Sequence, residues 1–231
     1  MSYRSGNPSL NSRTFQNLER PSGSHLLRDD VMTIQGTVDK TGISLALLIF
    51  AGYFAYVPNG LIYMITGFIG GLIVAIVTIY KKTWAPITVP LYAMFEGLLL
   101  GSISYMYGQM YEGIVLNAII LTVSILISLL FVYKSGLIKV TENFKLGVAA
   151  ATGGIALVYL FSIFGSFFGI NISFLDPNNG SLISIGASLF IVIIASLNLV
   201  MDFDFIEEGA EKRVPKYMEW FGAFGLLVTL V

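Results

Sequence analysis

LIYMITGFIGGLIVAIVTIY, residues 61–80, has no charged side chain and lies between Pro58-Asn59-Gly60 and Lys81-Lys82. At the helical rise of about 1.5 Å per residue it is about 30 Å long, the thickness of a bilayer's hydrocarbon core. Inside lipid a lone segment must satisfy its own backbone polar groups, and a helix does so. The stretch therefore reads as a membrane-crossing helix. The same rule cuts the rest of the chain into Gly42–Val57 before it and Pro86–Tyr107, Val115–Tyr133, Leu146–Ile170, Ser181–Phe203 and Met218–Val231 after it.

Composition agrees. Charged residues make up 12% of the 231, against about 25% in soluble domains, and the mean hydropathy is +0.79. Nine of the charges fall in residues 1–40. The expected fold class is all-α: a polytopic membrane protein, a bundle of seven transmembrane helices, with a soluble tail over 1–40 and the membrane domain over 41–231. The last helix is the exception. Met218–Val231 spans about 21 Å, short of the core, so it either half crosses or belongs to a longer helix; truncation is the favoured reading.

All 13 basic residues fall on one set of connections. Arg4, Arg13, Arg20, Arg28 and Lys40 precede the first span. Lys81 and Lys82 follow the second, Lys134, Lys139 and Lys145 the fourth, and Lys212, Arg213 and Lys216 the sixth. The alternate connections have none. The positive-inside rule then sets the N-terminus in the cytoplasm. Residues 1–25 are polar and lack the apolar core of a cleavable signal. Over Leu26–Lys40, Leu27, Val31, Ile34 and Val38 recur at helical spacing, the pattern of a short amphipathic helix on the membrane surface.

Ionisable groups inside the spans are few, and each must be paired, hydrated or neutral. Glu96 lies near mid-membrane in the third span, a candidate for a proton or cation pathway. Asp202 ends the sixth span, with Asn198 one turn earlier on the same face. Asp204, Glu207, Glu208 and Glu211 continue the acidic run. Asp202 is the switch candidate, since a boundary carboxylate can latch onto a base and let go when protonated. Lys81 and Lys82 are its candidate partners, and Asp204 is expected to point elsewhere. Gly67–Gly71, Gly97–Gly101 and Gly165–Gly169 have the spacing that lets helices approach closely.

Other functions lose their chemistry. The one histidine, His25, is in the tail and there is no cysteine, so a membrane Ser–His pair, a Cys/His metal site and a thiol nucleophile are excluded. No phosphate-binding glycine loop is present. A net charge of −1 without a dense basic cluster gives no reason to expect nucleic acid. An enzyme is not expected, nor a resident cofactor.

Phe95-Glu96-Gly97-Leu98-Leu99-Leu100-Gly101-Ser102-Ile103-Ser104 resembles the third-helix signature of the Bax inhibitor-1 (YccA-like) membrane proteins. Ala195-Ser196-Leu197-Asn198-Leu199-Val200-Met201-Asp202-Phe203-Asp204 is similar to that family's sixth helix. Thr37–Ile43 and the Asp202-Phe203-Asp204-Phe205-Ile206-Glu207-Glu208 run resemble a prokaryotic branch, which implies a prokaryotic plasma membrane. The resemblance further implies seven helices with the seventh central, and a pH-sensitive calcium leak switched by two carboxylates, one ending the sixth helix and one early in the seventh. The first carries over to Asp202. For the second, the seventh helix offers only Glu219, at its start. The leading expectation is thus a passive cation leak gated by carboxylate protonation, with the lipid bilayer and calcium or other cations as partners. The competing one is a non-conducting scaffold that regulates membrane proteins such as proteases.

Overall fold

The computed structural model describes residues 31–231 except 136, 138, 139, 170, 171 and 176–178, and omits the side chains of Lys134 and Phe174. Its seven α-helices are α1 Ile34–Ala55, α2 Leu61–Tyr80, α3 Ala85–Met110, α4 Ile114–Lys134, α5 Glu142–Phe167, α6 Leu182–Glu211 and α7 Met218–Leu230. Short 3-10 turns cover Lys82–Trp84 and Ser173–Leu175. The first six helices are long and apolar enough to cross a membrane, and α7 is a shorter apolar helix of 13 residues. Large apolar side chains such as Ile49, Ile62, Phe131, Leu157 and Leu182 face outward, far more than a water-soluble surface would expose.

Local chemistry explains most helix ends. The Thr33, Thr141 and Ser181 hydroxyls accept hydrogen bonds from the backbone N–H three residues on, capping α1, α5 and α6. Pro86 sits in the first turn of α3, where its missing N–H would have had no partner. Before α4, Gly113 takes a left-handed conformation (φ 77°) that lets the chain turn sharply into the helix.

Two boundaries differ most from expectation. First, α1 begins at Ile34 and runs unbroken to Ala55, so Ile34–Lys40 are its opening turns and not a separate helix; Leu26 and Leu27 lie outside the described residues. Its inward face is also different from the apolar stripe: Ile34 and Val38 are half exposed, whereas Thr37 and Ser44 are buried. Second, α6 does not stop at Phe203 but continues two turns through the acidic run to Glu211. There Asp204 and Glu207 find partners on other helices.

Glycines set the closest helix contacts. A Cβ on Gly97 or Gly101 of α3 would overlap the Leu48 or Gly52 carbonyl of α1, and one on Gly67 of α2 would lie 2.6 Å from Phe95 O of α3. Two of the three glycine pairs therefore work as read. In the third, Gly165 is buried in α5, but Gly169 lies beyond that helix with φ 76° and open space around it. Against this compact α1–α2–α3 group packs α7, in which every residue from Met218 to Leu227 except Trp220 is buried. Phe221 and Phe224 are fully enclosed, and Phe224 meets Tyr92 of α3 edge to face at 4.9 Å between ring centroids. The short helix is the centre of the fold, and α6 closes over it with Leu199, Phe203, Phe205 and Ile206.

Candidate functional site

The basic end of the bundle gathers the start of α1, the α2–α3 turn, the α4–α5 connection and the α6–α7 turn. Contacts across it prove the shared end. Met32 N donates to Val214 O at 2.8 Å, Lys82 Nζ lies over the Phe221 ring, Lys145 pairs with Asp204, and the Tyr133 hydroxyl bonds Glu207.

Asp202 sits just inside this end. It is fully buried, flanked by buried Leu199, Val200, Met201 and Phe203. One turn nearer the end, Ile206 packs on α7: its Cγ1 would be 3.3 Å from a Cβ built on Gly222. Residues four apart share a helix face, so Asp202 also faces α7. Protonating a carboxylate removed from water in this seam strongly changes the local field, because charge is costly there. On the same face Asn198 donates to Thr152 Oγ1 of α5 at 2.7 Å and to Ile194 O at 2.9 Å. It thereby ties α5 to α6.

The rest of the acidic run is spread over different partners. Half-buried Asp204 pairs with Lys145 of α5 at 2.7 Å. Glu207 accepts from Tyr133 of α4, and Glu208 pairs with Lys212 one turn on. Asp202 and Asp204 thus diverge as the helical wheel requires. Of the two lysines read as latch partners, Lys81 has its ammonium 4.3 Å from the Trp84 ring centroid. Lys82 lies over Phe221, on the helix that Asp202 faces.

Glu96 is half buried between helices. It lies close to the Tyr92 hydroxyl one turn earlier, and its Oε1 would lie 3.4 Å from a Cβ on Gly71 of α2. Through Tyr92 and Phe224 it is in mechanical contact with α7.

Glu219 does not lie at a solvated end. It is 1% exposed. Lys40 Nζ of α1 lies 2.5 Å from its Oε2, while Thr33 N and Thr33 Oγ1 donate to its Oε1 at 3.0 and 2.9 Å. None of the pairings Lys40–Glu219, Lys145–Asp204, Tyr133–Glu207 or Asn198–Thr152 was visible in the sequence. The separations run from 46 to 179 residues. Tyr92, four residues before Glu96, had a readable signal, as did the face Thr33, Gly36, Thr37 and Lys40 at helical spacing.

No group of three or more metal-ligating side chains occurs among the described residues. The arrangement is an electrostatic one, a buried carboxylate facing a central helix and a ring of polar clasps around it. No curated protein and no solved structure matches the chain. The family described as Bax inhibitor 1 like matches residues 7–231, nearly the whole length, and the chain belongs to it as a multi-pass integral membrane protein.

Proposed function

We propose that the protein is a passive, pH-sensitive leak for calcium or a similar cation, gated by protonation of a carboxylate in the α6–α7 seam. The burial of Asp202 carries the reading, since one proton changes the charge of a seam that the central helix must leave for a path to open. Glu96 supplies a second carboxylate deeper in the bundle, on the route past α3 and α7. The activity is not enzymatic, and calcium is cargo. Supporting the reading are the family and its general character as non-enzymatic membrane proteins. The test is calcium flux in proteoliposomes at two pH values. Downhill, pH-dependent flux supports the leak; none at either pH leaves the scaffold reading in its place.

Glu96→Gln should reduce or abolish the flux while folded protein is retained, because the amide keeps the shape and the Tyr92 contact but loses the charge. Unchanged flux with unchanged pH dependence would make Glu96 a structural residue. The orientation belongs to the same proposal, with the basic end in the cytoplasm of a prokaryotic cell. Cysteines placed one at a time at Gly60, Gln109 and Asn178 should react with an impermeant thiol reagent from outside. Those at Lys82, Lys139 and Lys212 should react only after permeabilisation. The native chain has no cysteine to confuse the result, and one connection labelled from the wrong side refutes the arrangement.

A further inference from the structure

We infer that Thr33, Gly36 and Lys40 form a carboxylate socket on α1, and that Glu219 is the key that seats α7 in it. The residues fall at i, i+3 and i+7, one face of a helix. Each contributes a different thing. Thr33 gives two donors to Oε1 and Lys40 gives the countercharge to Oε2. Gly36 gives space: a Cβ there would overlap Oε1, with Oε2 itself at 2.6 Å, so any larger residue evicts the carboxylate. The seat extends beyond the charge. Val31 pairs with Pro215 in an antiparallel bridge, Met32 N bonds Val214 O, and both Thr37 Cγ2 and Met32 Cε close on Gly222 at 3.0 and 3.3 Å from its notional Cβ.

Gly222 also faces Ile206, one turn from Asp202. The socket therefore fixes the register of α7 against the helix that carries the gate. This makes Thr33, Gly36 and Lys40 positioning residues, acting through Glu219 on the α6–α7 seam, and Glu219 the anchor of α7. As a statement about gating it rests on the leak proposed above; as a statement about structure it does not.

Both parts are separable by experiment. Residues opposed in an antiparallel bridge lie within disulfide reach, so the Val31→Cys/Pro215→Cys pair in the full chain should cross-link in oxidised membranes. Adding Gly36→Ala should slow cross-linking about tenfold, the loss of one charge-assisted contact set. Lys40→Met, which keeps the helix and removes only the cation, should slow it too. Gly42→Ala is the control, because nothing lies within 4 Å of its added methyl; it should leave the rate unchanged. Equal cross-linking in all forms overturns the socket. In liposomes, Gly36→Ala without the cysteines should raise calcium flux at the pH where the parent protein leaks least. Slowed cross-linking with unaltered flux in a conducting protein overturns the positioning role. Slowed cross-linking when no form conducts upholds the socket and removes the leak.

Discussion

Asp202→Asn is expected to hold calcium flux at its low-pH level, so that the ratio between two pH values falls to near one. The amide is nearly isosteric with the carboxyl and cannot ionise, so the variant imitates the protonated state at every pH. The buried surroundings make this a large effect, since an ionised group in that seam has no access to water and its field is little screened. Asp204→Asn is the contrast. It lies two residues on, about 200° around the helix, half exposed and paired with Lys145. Its loss should cost about 0.2–1 kcal/mol of stability, as for a partly exposed ion pair, and leave the pH ratio alone. A pH ratio that follows Asp204 would show that the gate uses the α5–α6 clasp instead of the α6–α7 seam.

Gly101→Leu should abolish stable folded protein, with Gly97→Leu close behind. At both positions even one added carbon would overlap a backbone carbonyl of α1, at Gly52 and Leu48 respectively. Backbone cannot swing aside as a side chain does, so the two helices must part over their length. Overpacking a close-fitted core by one or two methylenes costs about 1–3 kcal/mol. A whole side chain at a backbone contact exceeds that and consumes a large share of a stability of about 5–15 kcal/mol. Thermal unfolding in detergent checks this, with Gly153→Leu on α5, where a Cβ meets open space, as the tolerated comparison. Equal melting for Gly101→Leu and Gly153→Leu would mean α1 and α3 are not held by this contact.

Where the fold was legible, lipid was the reason. An uninterrupted apolar run of bilayer length admits few structures, and α2 has the bounds Leu61–Tyr80 that its flanking turn and lysines indicated. Hydropathy failed where the helix outlived the apolar pattern. The acidic residues after Phe203 look like a solvated end, yet Lys145, Tyr133 and Lys212 satisfy them and the helix goes on to Glu211. At the start of α1 the helix was signalled by its cap and not by its apolar residues, since Thr33 bonds Gly36 N at 2.9 Å. The site was half legible. Depth in the chain marked Glu96 and Asp202 as costly groups, but periodicity carries no information on which residue of which other helix meets them. Lys40 was counted as part of a tail, though it reaches the carboxylate of Glu219.

The clasps between α6 and its neighbours have a mechanical corollary. Asp204–Lys145 and Glu207–Tyr133 both grip α6 near one end, while its opposite third, with Leu182, Ile183 and Leu189, is largely exposed. If α6 tilts against the glycine-packed α1–α3 pair, those clasps are its fulcrum. From Leu182 to the Asp204 clasp the arm is about 33 Å at the helical rise, so a tilt of about 5° displaces the far tip by about 3 Å while hardly disturbing the grip. Asp202 lies close to that fulcrum, so a small shift of the helix at Asp202 becomes a much larger displacement at the far tip.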